Sequence, residues 1–424
     1  MSDFINKFKL AFEDKSLRNR IFFVVFGLII FRLLANIPIP GIDPSRLAQF
    51  FSNNQFFGFL DIFAGGGLSN LSIIMLGVGP YITASIIMQL LTMIFPKLKE
   101  MYQEEGEAGK KKFAQYSRVL TIPFAAFQGF AFLTLLSRQG VIDPLSGFSL
   151  ILNITIITAG SVLLMWLGEL ITEFGISNGI SLIIFAGIVA SLPTAVSQLI
   201  FNWNIANLPI YLGFAIAGAL IIWGVVIVTE AERPIPITYA KRVRGMKVYG
   251  GISTYLPLRI NQAGVIPIIF ALYILLFPQM IFQFLQSWFS NPTLITVSTF
   301  VLGILANPWF YSILYFALIF IFTYFYTAIS FDPVQVAEGL QKSGAFIPGV
   351  RPGNSTAEYV ARVLNRITLV GAAFLGLVAV LPLVVQAATG ITAIAIGGTS
   401  LLIVVSVAID LIKKIDAQVS MREY

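Results

Sequence analysis

Long apolar runs separated by short polar punctuation dominate the chain. Runs of roughly 17–25 residues, the length a helix needs to cross ~30 Å of hydrocarbon, recur along it. They lie near 21–37, 72–95, 116–136, 151–171, 179–200, 209–229, 262–286, 308–330, 366–386 and 392–412. The pattern predicts an all-α polytopic membrane protein with ten spans. One further apolar stretch, Phe56 to Leu68, is too short to cross. Backbone can end inside hydrocarbon only where protein or water surrounds it, so this stretch is expected to be a re-entrant half-helix within the bundle. Its residues are Phe57, Leu60, Ile62, Phe63, Gly65, Gly66, Gly67 and Leu68, and the three glycines form an expected hinge. A loop packed on the outer surface is the alternative.

Charge orients the spans. All of the 27 Lys and Arg residues except Arg32, Arg46 and Arg138 fall in alternate loops or at the two ends. The excess of basic residues on cytoplasmic loops then places both termini in the cytoplasm. An odd number of spans in each half would make the halves enter from opposite faces. The expected organisation is therefore a cytoplasmic segment 1–20, an N-terminal half 21–200, a linker 201–208, a C-terminal half 209–412 and a tail 413–424. Inverted halves of this kind place a pathway at their interface. Phe4, Phe8 and Phe12 recur at helical spacing, so the first segment reads as a surface-lying amphipathic helix or, failing that, a disordered tail. Its basic residues leave no h-region for a cleavable signal.

Composition agrees and narrows the chemistry. With 57% hydrophobic and 11% charged residues, water cannot be the main solvent of this chain. There is no cysteine and no histidine, which removes disulfides, zinc sites and histidine bases. Gly106-Glu107-Ala108-Gly109-Lys110 lacks the spacing of a phosphate-binding loop, so no nucleotide hydrolysis is expected from the chain itself. No cofactor and no metal site is expected.

Four local patterns stand out. In the second span, Gly77, Gly79, Ala84 and Ser85 allow close helix approach, and Pro80 predicts a kink. Glu169 and Glu173 share one face at the end of the fourth span, either as a cation or proton site or as a salt-bridged helix end. Two loops, about 230–260 and 331–365, are long and basic. The first carries Arg242, Arg244 and Lys247, the second Lys342 and Arg351. Proline and glycine give them fixed turns suited to docking a large partner, with topology-setting and anionic-lipid contact as the other reading.

These segments resemble the bacterial SecY family, equivalent to Sec61α elsewhere. The resemblance covers essentially the whole chain. It rests on Pro38-Ile39-Pro40-Gly41, the half-helix and the start of the second span, Trp166 to Ile183, Glu230 to Arg242, Ala263-Gly264-Val265-Ile266-Pro267, Lys342 to Gly353 and Gly397 to Val405. It implies a protein-conducting channel whose two halves form an hourglass. Its waist would be a ring of Val78, Ile82, Ile180, Ile184, Ile269 and Ile403, with the half-helix as a plug beneath. A lateral gate would open between spans 2 and 7, with spans 3 and 8 beside them and Thr83, Ser85 and Gln89 near the seam. Implied partners are SecE-type and SecG-type subunits, a SecA-type ATPase motor, the ribosome, signal sequences, nascent polypeptides and the lipid bilayer. Taken from the residues alone, a secondary transporter for a small solute or a membrane scaffold shares many of these features. An apolar waist argues against the first, and a glycine-hinged plug against the second.

Overall fold

Helix-starting chemistry is written at the ends of the apolar runs. Asn291, Asn307 and Asp332 each precede a proline, and each side chain accepts a backbone N–H of the first turn that follows. An Asn or Asp cap with proline at the first helical position satisfies orphan donors and presets φ. Asp14 and Ser146 cap two further helices in the same way.

The computed structural model describes residues 13–40, 61, 64–138, 140–201, 208–239, 242–244, 247–249, 253–288, 291–389 and 392–420. In chain order the helices are α1 Lys15–Leu34, α2 Gly79–Ile94, α3 Pro96–Gln103, α4 Gly106–Arg138, α5 Gly147–Phe174, α6 Gly179–Phe201 and α7 Leu208–Glu230. After four strands come α8 Ile266–Trp288, α9 Pro292–Ala306, α10 Pro308–Ser330, α11 Pro333–Lys342, α12 Asn354–Thr389 and α13 Thr392–Ser420. Every expected span falls on one of these helices. Among the described residues, 5 helices are by themselves long and apolar enough to cross a membrane, and the pair α2 and α3, bent by 113°, makes up to 6. Prolines 123, 193, 278 and 382 lie inside helices, which neighbouring membrane helices tolerate.

The second span departs from its expectation. Its helix starts at Gly79, not Ser72, and Pro80 sits in the first turn instead of kinking the middle. The preceding residues are held otherwise: Ile39 N–H donates to Leu71 O at 2.8 Å and Ile73 N–H to Ile37 O at 3.0 Å. This short antiparallel bridge fixes the approach, and proline at the first turn costs no helical hydrogen bond.

The two basic loops also hold regular structure. β1 Glu232–Tyr239 pairs with β4 Ser253–Arg259, and β2 Arg242–Arg244 pairs with β3 Lys247–Tyr249 at the tip. Pro234 faces Pro257, a pairing possible only where the ladder needs no bond from either. β5, Ala345–Phe346 of the second loop, adds to the other edge of β1, giving the order β4-β1-β5. Ile235, Leu258 and Ile347 of this sheet are buried against Val360, Val363, Leu364 and Ile367 of α12. The loops therefore form one platform.

Candidate functional site

The largest apolar cluster joins both halves of the chain, and the expected ring lies in it. Val78, Ile82, Ile184, Ile269 and Ile403 are buried there, and Ile180 packs against it partly buried. Each position follows from its helix. Val78 is the N-cap of α2, and Ile82 lies one turn on. Ile180 opens α6 with Ile184 a turn later, Ile269 lies in the first turn of α8, and Ile403 lies within α13. Ile180 differs from the others because its terminal methyl fills the space left by Gly168 of α5. A Cβ at Gly168 would come within 2.4 Å of it.

Of the expected plug, Phe57, Leu60, Ile62 and Phe63 lie outside the described residues. The described part, 64–68, is a run of turns, with Ala64 and Leu68 buried in a second apolar cluster with Phe132 and Leu133 of α4 and Ile157 of α5. Gly65 and Gly66 have φ of 69° and 78°, a region that disfavours side chains. At Gly65 space forbids one as well, since a Cβ would come 2.3 Å from Phe31. Arg32 of α1 donates to Gly65 O at 2.6 Å. Asp61 accepts from the N–H groups of Leu68 at 3.0 Å and Ser69 at 2.7 Å, closing the turn.

Beside the cluster runs a seam where α8 packs on α2 and α4, while α10 packs on α8 and α12. Of the residues expected there, Thr83 is buried and donates to Gly79 O at 3.0 Å. Ser85 and Gln89 are half-buried, and Gln89 Oε1 has no partner among the described residues. Gln128 Nε2 of α4 reaches Thr83 Oγ1 at 3.5 Å. A cavity of about 20 Å³, room for one water, lies among Leu68, Met75, Gly79, Thr83, Gln128 and Tyr273. Further along, Phe124 meets Phe277 at 6.4 Å between ring centroids, and Phe127 and Phe130 meet Phe284 at 6.2 Å and 5.7 Å.

Sequence reasoning missed Gln128, Tyr273 and these aromatic pairs. A lone glutamine within an apolar span was the available signal for Gln128. It also missed a clasp between distant parts of the chain. Ser177, in the α5–α6 turn, donates to Asp410 Oδ2 of α13 at 2.9 Å, and Lys414 reaches Ser177 Oγ at 3.2 Å and Asp410 at 2.8 Å. Glu169 is the partner of Arg118 on α4 at 2.5 Å, which favours the salt-bridged helix end.

The residues expected to dock a partner lie on the platform and at its edge. Arg242 and Arg244 are on β2 and Lys247 on β3. Lys342 ends α11, exposed, and pairs with Glu338 at 3.3 Å. Arg351 is exposed, and its carbonyl accepts from Thr356 Oγ1 at 2.8 Å.

Apolar helices from both halves that share one buried cluster, with a packed seam beside it, define a polytopic α-helical membrane protein. Residues 72–412 match the SecY family model. A protein translocase subunit SecY of Thermotoga maritima is 45% identical over 98% of this chain and 96% of its own length. The chain belongs to the SecY family. The fold is similar to that of a structure described as a protein conducting channel, with TM-score 0.67 and 19% identity over 95% of this chain and 92% of the other. It is likewise similar to Sec61 in a canine ribosome-channel complex, with TM-score 0.61, 17% identity and the same coverage of 95% and 92%.

Proposed function

We propose that this chain is the central, pore-forming subunit of a protein translocase, passing unfolded secretory polypeptides across the membrane and releasing membrane-protein helices sideways into lipid. The observation that carries the reading is the convergence of six aliphatic side chains from four helices of both halves in one buried cluster. A constriction of this chemistry dewets, so it resists ions and water at rest. Branched side chains offer no hydrogen bonds to be matched, so the same ring can yield around a passing chain of any sequence. The segment around Gly65 acts as the plug beneath the ring, held by Arg32. Sideways release follows from parting α8 from α2 and α4.

The chain supplies a path and no catalysis, so energy comes from a partner. A SecA-type motor or a ribosome docks on the platform through Arg242, Arg244, Lys247, Lys342 and Arg351. The ribosome assignment is supported by the fold shared with the Sec61 channel described in a ribosome complex. SecE-type and SecG-type subunits flank the bundle. The chain sits in the inner membrane with both termini cytoplasmic, as the distribution of Lys and Arg supports. A solute transporter would need a polar midplane site, and the cluster that holds the ring positions is built from aliphatic and aromatic side chains among the described residues.

The deciding experiment stalls a secretory chain in the reconstituted complex with photocrosslinking groups at Val78, Ile82, Ile180, Ile184, Ile269 and Ile403. Crosslinks from all six faces to the stalled chain are expected. Crosslinks to lipid alone would sink the reading.

A further inference from the structure

Between Arg259 and Asp332 the chain has no Asp, Glu, Lys or Arg. Near the middle of that stretch lies α9, a 15-residue helix that the hydropathy pattern did not single out as a span. At 1.5 Å per residue it is about 22 Å long, short of the ~30 Å hydrocarbon core. It joins the end of α8 to the start of α10, and those two helices pack side by side. α9 is therefore confined to one face of the bundle.

One exposed stripe of it is apolar. Leu294, Val297 and Phe300, three apart, are exposed, and the exposed Trp309, Phe310 and Ile313 continue that surface onto α10. The hydroxyls of Thr293, Thr296 and Thr299 are satisfied within the protein. Thr296 and Thr299 are exposed, yet their hydroxyls donate to Pro292 O and Ile295 O, each at 2.8 Å. Asn291 accepts from Thr293 N–H at 3.1 Å and Oγ1 at 2.7 Å. Gln286 of α8 donates to Thr299 at 3.2 Å, tying α9 to its neighbour. Internal satisfaction of this kind is what hydrocarbon demands and water does not. Helices drawn to anionic membrane surfaces carry Lys or Arg on their polar face. α9 has neither, so apolar area alone must seat it.

We propose that α9 lies in the headgroup boundary of the bilayer at its face, with Leu294, Val297 and Phe300 in neutral lipid, and so anchors the end of α8 to the membrane. The lipid seat stands on α9 itself, and only its bearing on opening rests on the seam described above. Because the chain has no cysteine, a Phe300→Cys variant of the full chain can be labelled at one site with an environment-sensitive fluorophore and placed in phosphatidylcholine vesicles. Val297→Cys gives the same readout if the first variant folds poorly. The expected result is blue-shifted emission, quenched several-fold more by lipid-attached nitroxide than by aqueous iodide, and unchanged by added phosphatidylglycerol or salt. Dominant iodide quenching would place α9 in water. Protection from both quenchers would mean that protein covers it, and dependence on phosphatidylglycerol would mean that charge seats it. Each of these results overturns the proposal.

Discussion

Ile403 and Ile82 are buried in the large apolar cluster. Burying an unpaired amide costs about 1–3 kcal/mol, and water brought in to satisfy it would wet the constriction. Ile403→Asn or Ile82→Asn should therefore let reconstituted vesicles leak ions and relax the demand for a good signal sequence; unchanged conductance would count against a sealing ring. Arg32 makes a charge-assisted bond to Gly65 O, a class worth about 1.5–3 kcal/mol. Arg32→Ala should raise resting leak several-fold while leaving the waist intact, measured by dye efflux from the same vesicles. The ring positions were legible only through family resemblance, since an aliphatic residue in an apolar span carries no mark of its own. Arg32 and Asp61 were visible as charged residues. Their partners were not, because the chain folds back through turns that periodicity does not encode.

Among the elements, α2 shows where pattern reading stops. Hydropathy continues unbroken from Ser72, but whether backbone is helical there depends on the bridge to Ile37 and Ile39, a contact between separate segments. The strands were missed for the opposite reason: Pro234, Pro236 and Pro257 argue against a sheet, yet Pro234 pairs with Pro257 and Pro236 with Tyr255 in the β1–β4 ladder. The caps before α9, α10 and α11, by contrast, can be read directly from Asn-Pro and Asp-Pro. Arg351 lies exposed on the platform, so reversing its charge should barely touch folding, within about 0.5 kcal/mol. Arg351→Glu is expected to abolish most motor-stimulated transport with an unchanged melting temperature, and normal stimulation by a SecA-type ATPase would refute its role.

At the scale of the whole molecule, the seam and the clasp divide the labour. Phe127 and Phe284 face each other across the seam at 6.2 Å. In this cysteine-free background, a Phe127→Cys, Phe284→Cys pair should be bridged by a short bifunctional thiol reagent that carries a reducible link. The crosslinked channel should stop releasing membrane helices into lipid and recover on reduction; undiminished release would show that opening occurs elsewhere. Asp410→Asn should weaken the tie to Lys414 and Ser177 and make transport more tolerant of poor signal sequences, checked with a signal-sequence variant series. The addition of β5 to β1 has a mechanical corollary. A machine thrusting on β1 meets a braced strand, because β5 and the apolar underside of the sheet couple β1 to α12, a helix of 36 residues. Each stroke would then arrive as torque on the C-terminal half rather than as bending of a surface ribbon.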